Sequence, residues 1–156
     1  MHNASAMLSE NKHILLLNKR LFKACSVGNI EEVALLIEEG AQVNAKSIFE
    51  EIDGKDWVPL HVACKYGYID IVRCLIENGA DINAQNQQCL TPLHCAVLNY
   101  RRAVVRYLLN VGADHDKQTV LGHTAFAIIE HGRNVDPDLT IAILELFPNQ
   151  SDEGCK

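Results

Sequence analysis

Two places in this 156-residue chain bring imidazole and thiol close together: His61 stands three residues before Cys64, and His94 stands beside Cys95. Such groups could share a zinc ion, or act as base and nucleophile. Neither chemistry completes itself. A structural zinc site needs four ligands, and His61-x-x-Cys64 supplies two, with no CxxC pair anywhere to supply the rest. A catalytic thiol needs a base and a third group that orients it. No GxSxG, phosphate loop, HExxH or Cys–His–Asn signature is present. The expectation is a chain without catalysis, metal, cofactor or small-molecule substrate.

The segments that carry the histidines explain them differently. Pro59-Leu60-His61-Val62-Ala63 returns as Pro92-Leu93-His94-Cys95-Ala96, 33 residues later. The residues downstream of each copy also return: Val72-Arg73 as Val105-Arg106, Leu75 as Leu108, and Gly79-Ala80-Asp81 as Gly112-Ala113-Asp114. A fixed period of this length marks one supersecondary unit stacked on copies of itself. Histidines at matching positions of a repeat read as hydrogen-bonding structural residues.

Each unit reads as turn, helix, tight turn, helix, loop. Thr91 can cap a helix, and Pro92 suits its first position, where a missing N–H costs nothing. Gly67 allows a left-handed turn between helices and Gly79 stops the second. That second helix carries Ile71, Val72, Leu75 and Ile76, then Val104, Val105, Leu108 and Leu109, a stripe at helical spacing. One pair of helices cannot bury such a stripe alone, so stacking is obligatory. Cys25 and Cys64 share a register position beside Ala24 and Ala63, and Cys95 follows Val62 by one repeat. These thiols read as small buried hydrophobes in a reducing compartment.

Thr91-Pro92-Leu93-His94-x-Ala96 with Gly112-Ala113-Asp114, and Val58-Pro59-Leu60-His61-x-Ala63 with Gly79-Ala80-Asp81-Ile82-Asn83-Ala84, resemble the ankyrin repeat. The resemblance covers roughly residues 20–147. It implies an all-α ankyrin-repeat solenoid of stacked helix-turn-helix units with β-hairpin-like loops. An ankyrin domain is expected over 13–148, with repeats near 18–46, 53–85, 86–118 and 119–148. Residues 1–12 read as a flexible arm, a first helix runs from about His13 to Cys25, and 149–156 form a tail. Between the first and second repeats the offset is 39, so about 46–57 form a finger holding Ile48, Phe49, Ile52 and Trp57. The third repeat departs from the family pattern, with Cys89 in place of a tip glycine and Tyr100 where Gly28 and Gly67 stand, a turn expected to adapt through Asn99. The fourth replaces Pro and His by Ala125 and Ala127. Its last helix starts at Asp136-Pro137 and turns Ile141 and Leu144 inward.

Members of the family bind other proteins through hairpin tips and the exposed side of each first helix. Carried over by position, the partner-binding residues are Lys55, Trp57, Lys65, Tyr66, Gln87, Gln88, Leu90, Leu98, Asn99, Leu121 and His123, with Val27 and Val120 at the same contact positions; Phe49 joins them from the finger, whose rival role is to fold back onto the repeats. Trp57, Tyr66, Leu90 and Leu98 are expected to be exposed. Leu36 to Asn44 and Leu75 to Asn83 resemble the ankyrin consensus for asparaginyl hydroxylation, which makes Asn44 and Asn83 candidates for modification. The rival role for both is to tie the loop after the second helix. A narrower function is a stand-alone inhibitor or effector of a signalling or transcription factor. A function of another class is a self-associating scaffold.

Composition sets the remaining bounds. A net charge of −6 argues against a nucleic-acid partner, and Arg73, Arg101, Arg102 and Arg106 read as a solvated face. No run of about 18 apolar residues exists to span a membrane. The start of the chain has no apolar signal-peptide core, and Ile14-Leu15-Leu16-Leu17 is too short to serve as one. The expectation is an intracellular monomer, cytoplasmic or nuclear, that binds a partner protein.

Overall fold

The computed structural model describes residues 3–47, 56–132 and 137–148. Among these, eight helices follow one another in four pairs, and there is no strand. The pairs are α1 (Asn3–Val27) with α2 (Ile30–Glu38), α3 (Pro59–Tyr66) with α4 (Ile69–Glu77), α5 (Pro92–Leu98) with α6 (Arg102–Asn110), and α7 (Ala125–Glu130) with α8 (Pro137–Leu144). Helices α1, α3, α5 and α7 pack side by side as an inner row. The outer row of α2, α4, α6 and α8 packs more loosely.

Residue size explains that difference. Ala24, Ala63 and Ala96, at one register position, are fully buried and let inner helices approach closely. Between the rows lie Leu21, Leu60, Leu93, Val33, Leu36, Val72, Leu75, Val105 and Leu108, all shielded from solvent. Both ends of each inner helix follow from local chemistry. Pro59 and Pro92 take the first turns, and the Thr91 and Thr124 hydroxyls accept the N–H of His94 at 3.4 Å and of Ala127 at 3.2 Å. Gly28 and Gly67 close two of the inner-to-outer turns at φ of +81° and +85°. Each glycine also admits a neighbour, because a Cβ at Gly28 would lie 2.6 Å from the Tyr68 ring and one at Gly67 would lie 2.7 Å from Arg101.

Three features differ from the sequence expectation. Residues 3–12, read as an arm, are helical, and α1 starts at Asn3 rather than near His13. The segment has no glycine or proline before Gly28, and Ala, Met, Leu, Glu and Lys favour a helix. The third turn adapts through Tyr100 itself, at φ of +55°, while Asn99 stays at −108°. In α8 the described buried residues are Ile143 and, just beyond, Phe147; Ile141 is exposed, while Leu144 packs half-buried against the core as expected. Packing against both α6 and α7 sets that face. The finger residues 48–55 and the tail lie outside the described residues.

The hairpin-like loops are held by hydrogen bonds rather than by strands. Asn86 N–H donates to the Leu90 carbonyl at 3.1 Å, and Thr119 N–H to that of His123 at 3.0 Å. Val120 N–H donates to the Gln88 carbonyl at 3.1 Å and joins the two tips. A left-handed residue recurs at Asp56, Cys89 and Gly122, with φ of +66°, +57° and +78°.

Replacing Leu75 or Leu108 by alanine is expected to cost about 2–5 kcal/mol each, because both are fully buried. Urea unfolding measures this. A loss below about 1 kcal/mol at both would place the stripe wrongly. Cys89→Gly should raise stability by about 1 kcal/mol in the same assay, since it relieves a left-handed residue that has a Cβ.

Candidate functional site

The two histidines of the repeated segment hold neighbouring units together. Val58 N–H donates to His61 Nδ1 at 3.1 Å. A backbone N–H can only donate, so Nδ1 is unprotonated and Nε2 carries the proton, which it gives to the Leu90 carbonyl at 2.8 Å. His94 repeats the arrangement: Thr91 N–H donates to its Nδ1 at 3.2 Å, and its Nε2 donates to the His123 carbonyl at 3.3 Å. Each imidazole thus links the start of its own inner helix to the hairpin of the next repeat. Burial lowers the pKa of His94, and that of His61 to about 4. Both rings are neutral at pH 7, fixed at both nitrogens and buried, so neither can act as base or ligand.

The thiols are equally inert. Burial pushes Cys25 and Cys95 up to about 12 and raises Cys64 as well, which leaves them as protonated, free thiols. Among the described residues no group of three or more His, Cys, Asp and Glu side chains could hold a metal ion.

Asn44 and Asn83 tie the loops. The Asn44 amide accepts from Asp81 N–H at 2.8 Å and donates to the Gly79 carbonyl at 2.9 Å, and Asn83 accepts from Asp114 N–H at 2.9 Å. The preceding loop is held by Asn18 of α1, which accepts from Gln42 N–H at 2.8 Å. Gln42, Asp81 and Asp114 share one register position, so the end helix supplies from its side what a preceding repeat would supply from its loop. Asn86 shapes its hairpin by accepting from the N–H groups of Gln88 and Leu90, both at 2.9 Å. Repeat period alone does not identify Asn18. Asn86 could have been found from its offset of 33 to Thr119, which does the same for Leu121 and His123 at 3.3 and 3.4 Å.

The residues expected to meet a partner divide into three groups. Tyr66 and Leu98 are exposed at the ends of α3 and α5, by 43% and 46%, and Leu121 is 78% exposed at its hairpin tip. Gln87, Gln88 and His123 are exposed, and Asn99 is half-buried with its amide donating to the Cys95 carbonyl at 2.8 Å. Phe49 and Lys55 lie outside the described residues. Trp57 is the correction: it is 5% exposed, not an exposed anchor. Its carbonyl accepts from Ser47 N–H, and its ring packs 5.6 Å from that of His61, under the Lys65 ammonium at 5.6 Å. Closure of the finger's neck turns the indole inward. Leu90 is half-buried rather than exposed, because its carbonyl and amide are held by His61 and Asn86.

Val27 and Val120, at the same family contact positions, are 53% and 63% exposed and share register with Tyr66 and with Gln87 respectively. Lys65 Nζ lies 5.9 Å from the Tyr66 ring, which stacks on Tyr68 at 6.2 Å. On the outer row, Arg73 covers the Tyr107 ring at 5.4 Å, and Arg102 and Arg106 are exposed.

Trp57→Ala should lower stability by about 3–5 kcal/mol, read by denaturant unfolding, because it empties a buried site. Acidification should also destabilise the fold. The folded pKa of His61, about 4, lies below the value of about 6.5 for an unfolded histidine, so the unfolded chain binds the proton first. Stability is then full above about pH 6.5 and falls as pH drops toward 4, by on the order of 3 kcal/mol from His61. Urea midpoints of the chain and of His61→Gln across this range check it, the variant showing the smaller fall.

A family model described as "Ankyrin repeats (many copies)" matches residues 21–76 and 60–109, together more than half of the chain. No curated protein matches it. Ankyrin repeats are in general protein–protein interaction modules, and proteins built of them are typically non-catalytic. No helix among the described residues is long and apolar enough to cross a membrane. With the repeated Pro-Leu-His segments, the histidine bridges and the stacked helix pairs in place, the chain belongs to the ankyrin repeat family.

Proposed function

We propose that this protein binds a partner protein through the inner-row face and the hairpin tips. The observation that carries the reading is the row Val27, Tyr66 and Leu98, exposed at neighbouring positions of three successive inner helices, with Val120 and Leu121 at the hairpin of the fourth repeat. Single exposed apolar residues are ordinary; an aligned set at a stack's helix ends and tips is the pattern of a contact surface. The polar residues Gln87, Gln88, Asn99 and His123 stand around it and suit a rim that tunes specificity. Tyr66 is its anchor, since Tyr offers large contact area for little rotamer entropy.

The protein acts by occupancy, as an inhibitor or effector of a signalling or transcription factor would, and has no chemistry of its own. Buried, free thiols at Cys25, Cys64 and Cys95 suit work in a reducing compartment such as the cytoplasm or nucleus. Asn44 and Asn83 serve this function by holding the loops in register.

Affinity capture from a lysate of the source, followed by titration of the captured partner, tests the reading. Tyr66→Ala and Leu98→Ala should each weaken binding at least tenfold, about 1.4 kcal/mol, without changing the circular dichroism. Arg102→Ala and Arg106→Ala, on the outer row, should do little. The reverse pattern would assign binding to the outer helices.

A further inference from the structure

The geometry points to a partner segment of a particular chemistry: aliphatic side chains next to carboxylates, its acidic end lying against α1 and α3. This rests on the inner-face reading above and adds to it the sign of charge.

Among the described residues the inner face carries lysines and few carboxylates, whereas the outer row mixes carboxylates with Arg73, Arg102 and Arg106. Lys12, Lys19 and Lys23 are the three lysines of α1, at spacings of seven and four, so they line one side of the helix over about 16 Å. All three are exposed. That side is the inner face, because Lys23 lies one turn before Val27, the counterpart of Tyr66. Lys65, one repeat on, adds a fourth ammonium beside Tyr66. Leu16, 56% exposed on the same side of α1, stands among the lysines.

Most of the described carboxylates lie on other faces. Glu31, Glu38, Asp70 and Glu77 are on the outer helices, and Asp81 and Asp114 are on the loops that follow them. The carboxylate of α1, Glu10, is two residues from Lys12 and therefore about 200° round the helix. On the inner face the described carboxylates are Asp56, half-buried in the first hairpin, and Glu130 on α7 at the far end. Among the described residues the inner edge near α1 and α3 is thus basic, although the whole chain carries a net charge of −6. The face runs from ammonium groups on α1 and α3, through Tyr66 and Leu98, to the apolar tip Val120-Leu121. A segment that complements it places carboxylates at one end and aliphatic groups at the other, with steering and register from the charges and affinity from the apolar contacts.

Selection of a random peptide library on the full chain, followed by titration of the enriched peptides, tests this. The expected peptides carry Asp or Glu beside Leu, Ile or Phe, and their affinity falls steeply from about 0.05 to 0.5 M salt. Lys12→Glu with Lys23→Glu should weaken them at least tenfold and, when used as bait, reverse the selected charge to Lys and Arg. Arg102→Glu should not. Circular dichroism of each variant verifies the fold, and the salt dependence of the unmodified chain stands as a readout that needs no variant. Peptides that lack carboxylates, or that bind the double variant equally well, overturn the inference; if Tyr66→Ala and Leu98→Ala still weaken them, the inner face stands as the binding surface. Peptides indifferent to those two changes, or no enrichment at all, overturn both. A single-stranded DNA oligonucleotide or a phosphatidylserine vesicle held at the lysines, with peptides ignored, would overturn the assignment to a protein segment.

Discussion

The fold depends on an imidazole that reaches in two directions. His61 and His94 each accept the N–H that opens their own helix and donate to a carbonyl in the next repeat's hairpin. Both nitrogens are used, so a single side chain fixes helix start, tautomer and inter-repeat distance together. A longer or charged group in that buried place would leave two backbone groups unsatisfied, at about 1–3 kcal/mol each. In the first repeat the same register position holds Phe22, which packs where the others bond. In the fourth it holds Ala127, and the bridging pattern stops where the last described pair of helices begins.

A second set of ties runs along the outer loops, with the amides of Asn18, Asn44 and Asn83 each accepting from the backbone of one loop. With the histidines they clamp each unit at both of its edges. Apolar burial between the rows supplies the bulk of the stability, and these polar ties supply its register. The tolerated strain lies between them. Cys89 and Tyr100 hold left-handed backbone where Gly122, and Gly28 and Gly67, stand at the same register, at a hairpin tip and at a helix-to-helix turn.

That face is made of positions the fold leaves free. Register assigns Val27, Tyr66 and Leu98 to helix ends and Leu121 to a tip, where a stacked unit needs no particular residue. Apolar and basic side chains at these positions make up the surface proposed for a partner, while the outer row mixes carboxylates with arginines. Trp57 shows the boundary between the two roles. Its place in the period is a tip position, but it closes the neck of the inserted segment and packs on His61. The residue with the largest apolar surface therefore stabilises the fold, and Tyr66 stays exposed beside Lys65.

Much of this was legible in the chain itself. A 33-residue period with Pro, Leu, His, Gly and Ala in matching places implied helix pairs, their turns and the structural role of both histidines, because those are local requirements of one unit repeated. Burial of Cys25, Cys64 and Cys95 followed from the same register. What departs from the period was decided only by tertiary structure. The burial of Trp57 depends on how the neck at Ser47 closes, and the inward face of α8 depends on α6 and α7 acting together. The left-handed Tyr100 depends on the packing that holds its ring. Asn18 takes the part of a loop residue from within a helix, which no offset in the sequence reveals. Local hydrogen bonding and periodic burial are written residue by residue along a chain; contacts between segments that do not repeat exist only once those segments have met.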